Sequence, residues 1–168
     1  MKTLLVAWMS LLVVTLASPR SSFADTWGDP VQPGKRFTVL KSYNGEAVRD
    51  NETGLVWEKV PETDGQDWST AQSHCNTKTV GNRKGWRLPT IQELASLVDP
   101  CATDPSLPSG HPFFLDTSFA YWSATSIVTD TSRAWGVLFS TGGVVAVNKA
   151  TTFHFLWCVR SGQGVDPQ

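Results

Sequence analysis

The sequence predicts an α+β domain, and three observations carry that prediction. Two stretches repeat apolar residues at helical spacing behind a capping residue. The segment from Ala47 to Val60 alternates around a turn, and the last third alternates over short runs separated by glycine turns. With 168 residues, 40% of them hydrophobic, the chain has length for one domain with a real core.

The first residues, MKTLLVAWMSLLVVTLA, place Lys2 ahead of an apolar run from Leu4 to Ala17. That run is shorter than the ~20 residues a membrane span needs, and it reads as a signal-peptide core. Ser22-Phe23-Ala24 puts small residues at the two positions a signal peptidase inspects, so residues 1–24 are expected to be removed before Asp25, with Ala17-Ser18 as the rival cleavage point. The expected product is exported, periplasmic or extracellular, with no transmembrane segment left after cleavage. No cysteine follows the apolar run to take a lipid anchor. Removing Lys2 and Arg20 lowers the basic residues from 14 to 12 against 15 acidic ones, a net charge of −3. Lys35-Arg36 and Arg83-Lys84 are isolated pairs rather than a basic stripe, which argues against nucleic acid as a partner.

Residues 25–36, rich in proline and glycine, read as an N-terminal linker. RFTVL then reads as a short strand. After the YNGE turn, AVRDNETGLVWEKV predicts a hairpin, with Asp50-Asn51 and Thr53-Gly54 supplying the turn chemistry. Asn51-Glu52-Thr53 also fits a glycosylation acceptor, which matters only in a host that glycosylates. Asp67 caps a predicted helix whose Trp68, Ala71, Gln72 and Cys75 fall on one face.

GWRLPTIQELASLVD, from Gly85 to Asp99, is the densest pattern in the chain. Thr90 with Glu93 three residues on forms a capping box, and Pro89 forces Leu88 to be extended. Ile91, Leu94, Ala95 and Val98 then repeat at helical spacing. Thr90 and Glu93 therefore have a backbone role that needs no substrate. Arg87, between Trp86 and Leu88, is expected half-buried and held by a carboxylate or by carbonyls as a structural brace.

Asp99 to Ala120 carries four prolines and little periodicity. A loop this long in a compact domain is usually a binding loop, a lid or an Ω-type loop, so it is the first candidate functional surface. Phe113, Phe114 and Leu115 are expected to plug the core beneath it. Beyond it YWSAT, RAWGVLFS, VVAVNK and FHFLWCVR read as strands, with STGG as a turn. Along the last strand Phe153, Phe155, Trp157 and Val159 share one face, and His154, Leu156, Cys158 and Arg160 the other. Residues 163–168 read as a flexible tail.

The cysteines are Cys75, Cys101 and Cys158. An oxidising compartment favours one disulfide and an odd thiol. No Cys-x-x-Cys and no histidine at zinc-ligand offsets occurs, so no metal and no cofactor is expected. Cys101 with His111 is too sparse a pair for a nucleophile and its base, and no Ser-His-Asp order is present, so no catalytic residue is assigned.

Trp57, Trp68, Trp86, Trp122, Trp135 and Trp157 supply large area to a small core, and core is the default for each. The two that border the TSIVTDTSR loop, Trp122 and Trp135, are the candidates to face a ligand. Asp130 and Arg133 lie in that loop, and Asn148 and Lys149 are expected near it across the hairpin. Polar side chains around an exposed ring are what a pocket for a glycan or a surface protein needs.

Taken in order, TGLVWEK, the helix bearing Cys75, GWRLPTIQELASLVD, YWSAT, AWGVLF with its glycine turn, and WCVRSG resemble the bacterial domain of unknown function 1566, the Lcl C-terminal domain. The resemblance covers residues 37–162. The Arg-Leu-Pro-Thr helix start and the terminal strand ending in Val159-Arg160 are also similar to formylglycine-generating sulfatase-modifying enzymes. The resemblance implies a C-type-lectin-like fold: two helices packed on a twisted, mostly antiparallel sheet, with the chain ends close together. It implies a disulfide between Cys75 on the first helix and Cys158 on the last strand. The catalytic cysteine pair of the sulfatase-modifying enzymes and the calcium-dependent sugar motifs of true lectins have no counterpart, so neither activity carries over. The implied function is an exported lectin-like binding module for a glycan, a surface polymer or a protein. An enzyme on the same scaffold and a structural envelope protein are the alternatives.

Overall fold

The computed structural model describes residues 36–162; the expected signal peptide, nearly all of the linker and the tail lie outside the described residues. The fold is α+β, with two helices and two mostly antiparallel sheets. One sheet has the order β1-β2-β3-β9, built from Phe37–Val39, Ala47–Asp50, Val56–Glu58 and Val159–Arg160. The other has the order β4-β8-β5-β6-β7, built from Glu62–Gln66, His154–Leu156, Tyr121–Ile127, Asp130–Leu138 and Gly143–Asn148. Among the described residues only β5 and β8 run parallel.

The single sheet implied by the resemblance is thus two sheets, and the reason lies in the final segment. His154 to Leu156 pairs in the larger sheet, and Val159 to Arg160 pairs in the smaller one. The chain crosses between them at Trp157 and Cys158. At the crossing the buried Glu58 takes over part of the ladder: its N–H donates to the Cys158 carbonyl at 3.2 Å, and its carboxylate accepts the Cys158 N–H at 2.8 Å. Lys78 donates to the same carboxylate at 2.6 Å. Burial pushes the Glu58 carboxyl above its ordinary value, against the opposing charge and hydrogen bond of Lys78.

Side chains along the crossing segment alternate between two buried clusters. Leu156 and Cys158 join Trp86, Trp122, Ala71 and Cys75, while Phe155, Trp157 and Val159 join Trp57, Tyr121 and Phe139. Phe153 departs from the expected pattern and lies exposed. Trp157 is the hub of the second cluster, with ring centroids at 4.8 Å from Phe113, 5.4 Å from Trp57 and 5.5 Å from Phe139. Edge-to-face contacts of this kind contribute about 0.5–1.5 kcal/mol each beyond area burial.

The first helix, α1, spans Trp68–Thr77. Asp67 caps it by accepting from the N–H groups of Ser69 and Thr70, and those bonds with the Ser69 and Thr70 hydroxyls hold its carboxyl down to about 2. Ala71 and Cys75 face inward, and Cys75 is joined to Cys158 by a disulfide across a sequence separation of 83. Closing a loop of that size stabilises the fold by about 2–4 kcal/mol through restriction of the unfolded chain.

The second helix, α2, covers only Ile91–Ala95, shorter than its apolar spacing predicts. The Ser96 carbonyl is taken by the Arg36 guanidinium at 2.7 Å, and the N–H groups of Leu97 and Val98 bond three residues back. Leu97 rather than Val98 consequently fills the buried position. The strand β4, a polar ETDGQ, has no alternation to announce it; it forms by pairing with β8. The TSIVTDTSR segment expected as a loop is instead the end of β5, a tight turn and the start of β6.

Thr90 caps α2 through a full capping box with Glu93. Arg87 donates to both Glu93 oxygens, at 2.8 and 2.6 Å, and its backbone bridges to Val159 in both directions at 2.9 Å. The Pro89 carbonyl accepts from Ala124 in β5, so GWRLPT ties α2 to a strand of each sheet. Burial alone pushes the Glu93 carboxyl up, but the Arg87 and Thr90 hydrogen bonds and the Arg87 charge outweigh it and hold the carboxyl below its ordinary value of 4.5. The stabilisation from this pair is therefore present above that value and is lost as pH falls through the lower, folded one. Glu93→Gln is expected to cost about 1 kcal/mol at neutral pH. In denaturant titrations the gap between wild type and variant should close on acidification; a gap that widens there rejects the brace.

Candidate functional site

The hairpin surface expected from the sequence is assembled only in part. Arg133 and Asn148 lie opposite one another in the β6–β7 ladder, and the Lys149 N–H donates to the Ser132 carbonyl. Their polar groups are engaged within the hairpin. Asp130 accepts from the Ser132 N–H and hydroxyl, and Asn148 accepts from the N–H groups of Ala150 and Thr151 at 3.0 and 3.1 Å. The Arg133 guanidinium donates to the Ala146 carbonyl. Lys149 donates to the Ser126 hydroxyl at 2.6 Å and sits 3.9 Å from the centroid of Trp68.

Trp122 is corrected outright as a candidate to face a ligand. It is 0% exposed, and its indole N–H donates to the Gln66 carbonyl at 2.8 Å. Both faces of β5 are covered at this point, since Tyr121, Trp122 and Ser123 are all buried, and a strand buried on both sides offers no ring to solvent. Trp135 stays half-buried. Phe114 is a second correction: Phe113 enters the core as expected, but Phe114 turns outward and is 63% exposed. Cys101 is an exposed free thiol, and His111 stacks on Phe113 instead of standing as a base in open solvent.

A cleft that the sequence did not reveal opens between β4, β8 and the end of the Pro-rich loop. It encloses about 530 Å³ and is lined by Phe119, Phe153, His154, Phe155, Thr63 and Thr152 together with Gly65. Phe119 is 51% exposed and Phe153 62% exposed. The Phe119 ring meets Phe155 at 5.3 Å and His154 at 6.3 Å. Gly65 allows this arrangement, because a Cβ there would stand 3.3 Å from the Phe153 Cβ. His154 packs edge-on against Trp122 at 5.0 Å, and burial pushes its pKa below the ordinary value, so the imidazole is neutral at physiological pH. Its Nδ1 is buried without a hydrogen-bond partner. The signal available in the sequence was FHFLW, which holds more aromatic residues than the two faces of one short strand bury.

Among the described residues no three His, Cys, Asp or Glu side chains converge to hold a metal, and no helix is long and apolar enough to cross a membrane. A family model described as the Lcl C-terminal domain matches residues 46–160. No curated protein matches the sequence.

The two kinds of aromatic residue respond differently to truncation. Trp122→Ala should cost about 3–5 kcal/mol in chemical denaturation, as expected of a cavity in the core. Phe119→Ala and Phe153→Ala should each stay within about 1 kcal/mol of wild type. Equal losses at all three positions would place the cleft phenylalanines in the core.

Proposed function

The chain belongs to the Lcl C-terminal domain family, and from that premise we propose that it is an exported, lectin-like binding module whose ligand, a glycan, a surface polymer or a partner protein, lies across the Phe119–Phe153 cleft. The observation that carries the reading is the exposure of those two rings in the lining of one cleft. Phe119 at 51% and Phe153 at 62% exposure each forgo roughly half of the ~1.5–3 kcal/mol that full burial contributes, in a chain that buries Trp57, Trp86, Trp122 and Trp157 completely or nearly so. Adjacent exposed aromatics of this kind mark interaction surfaces. Each ring offers a flat apolar face to a pyranose or to an apolar side chain; the Thr63 hydroxyl can donate or accept, and the Thr152 hydroxyl, whose proton is given to the Asn148 carbonyl, can accept.

The lectin-like reading draws support from the disulfide between the first helix and the last segment, and from the presence of the first and last strands in one sheet. The protein acts by presenting this surface and catalyses no reaction. Export rests on the charged, apolar and small-residue pattern of residues 1–24.

Two measurements test the proposal. Edman sequencing of protein recovered from outside the cytoplasm should begin at Asp25; a chain that retains Met1 rejects the leader. A glycan array and a pull-down against envelope proteins should return a ligand that wild type binds and that Phe119→Ala and Phe153→Ala each lose by about tenfold or more with unchanged Tm. Ligands that bind both variants as tightly as wild type exclude the cleft.

A further inference from the structure

The larger sheet ends on β7, which pairs with β6 and with no other strand. Hydrogen bonds in an antiparallel pair alternate along each strand, so a single bond fixes which residues face the neighbour. The Lys149 N–H donates to the Ser132 carbonyl, and these two residues continue the register in which Asn148 stands opposite Arg133. Val147, Val145 and Gly143 therefore turn their backbone groups to β6. Val144, Ala146 and Asn148 turn theirs outward, to the open edge.

That edge is only partly occupied. The Arg133 guanidinium takes the Ala146 carbonyl, and the Thr152 hydroxyl takes the Asn148 carbonyl. The N–H groups of Val144 and Ala146 and the Val144 carbonyl have no hydrogen-bond partner among the described residues. Successive outward residues stand about 6.8 Å apart, twice the rise of a strand residue, and another extended peptide is the ligand that offers donors and acceptors at this repeat. A carbonyl oxygen has two lone pairs, so Ala146 can accept from an added strand while Arg133 holds its place. Val144, 48% exposed, Ala146, Arg133 and the half-buried Trp135 share one face beside the edge.

Charge narrows the choice of peptide. From Asp130 to Lys149 the chain carries two cations, Arg133 and Lys149, and one carboxylate, Asp130. Asp130 is turned to Ser132, and Lys149 to Ser126 and Trp68. Arg133 is exposed, makes no ion pair among the described residues and lies over the edge itself. Asp104 belongs to the turn end of the strand, where its N–H donates to the Ser140 carbonyl. Two copies of β7 joined about a two-fold axis at Ala146 would set two Arg133 guanidinium groups together, so the residue that disfavours self-pairing favours a carboxylate.

We propose that the β7 edge takes an extended segment of a partner protein as an added strand, with an apolar side chain against Val144 and, two residues away on the same face, an acidic one on Arg133. The Phe119–Phe153 cleft lies beside β4, the opposite edge of this sheet, so the two surfaces stand or fall separately.

The test follows the backbone NMR signals and amide exchange of isotope-labelled protein. Without peptide, the N–H groups of Val144 and Ala146 should exchange with solvent much faster than those of Val145 and Val147. The blocked peptide TVTET should shift and protect the two fast groups, and its form methylated on every backbone nitrogen should do neither. TVTQT should bind about threefold more weakly than TVTET, as an exposed ion pair allows, and TVTKT more weakly still. Arg133→Gln, with unchanged Tm, should bind TVTET and TVTQT alike, while Phe119→Ala binds TVTET as wild type does. The peptide series on wild type decides the matter if Arg133→Gln fails to fold. Slow exchange at Val144 and Ala146 in the free monomer, no response to TVTET, equal binding of TVTET and TVTQT by wild type, or binding of the methylated peptide overturns the proposal. Dimerisation that protects Val144 and Ala146 without peptide overturns it in favour of a second copy.

Discussion

A buried carboxylate holds the two halves of this molecule in one structure. Where the chain leaves the larger sheet and enters the smaller one, the ladder cannot continue on backbone groups alone, and Glu58 supplies the missing acceptor for the Cys158 N–H. An unmet N–H at that depth costs about 1–3 kcal/mol, and a buried unpaired carboxylate costs more. Both problems are solved together because Lys78, just past the end of α1, reaches the same carboxylate. The disulfide from Cys75 arrives at the same residue that Glu58 serves. Helix, crossing and both sheets are therefore coupled within a few ångströms.

That coupling explains the division of the core. Alternate residues of the crossing segment project into separate clusters, so each cluster is completed by the same short stretch of chain. Trp157 on one side and Cys158 on the other leave this segment no solvent face. The Arg87 bridge to Val159 secures its far end, and the Arg87–Glu93 pair passes the restraint to α2. The pair is partly exposed, so its worth lies in orientation more than in raw electrostatic energy.

Much of this was legible in the residues. The capping box at Thr90 and Glu93, the Asp67 cap, the first hairpin and the β6–β7 ladder all follow from local patterns that tertiary packing did not override. The disulfide came from a family resemblance, because three cysteines permit three pairings and spacing does not choose among them. The strand β4 was illegible since a polar edge strand is defined by its neighbour and not by its own alternation. Trp122 was misread for a related reason: a loop was expected beside it, whereas β5 and β6 run on almost to the hairpin tip and are roofed at Trp122 on both faces. The cleft was hidden because Phe119 and Phe153 look in sequence like the core residues beside them, and only the path of the Pro-rich loop and of β8 turns them outward.

The position of the crossing segment in the chain also bears on when the fold can close. A ribosome delivers Trp57, Trp86, Trp122 and Phe139 well before it delivers residues 154–160, so neither cluster has its central members until synthesis of the domain is nearly over. Until then the earlier strands have no shared partner to lock against. Joining Cys75 to Cys158 is accordingly among the last links the chain can make, because the second sulfur lies in that final stretch.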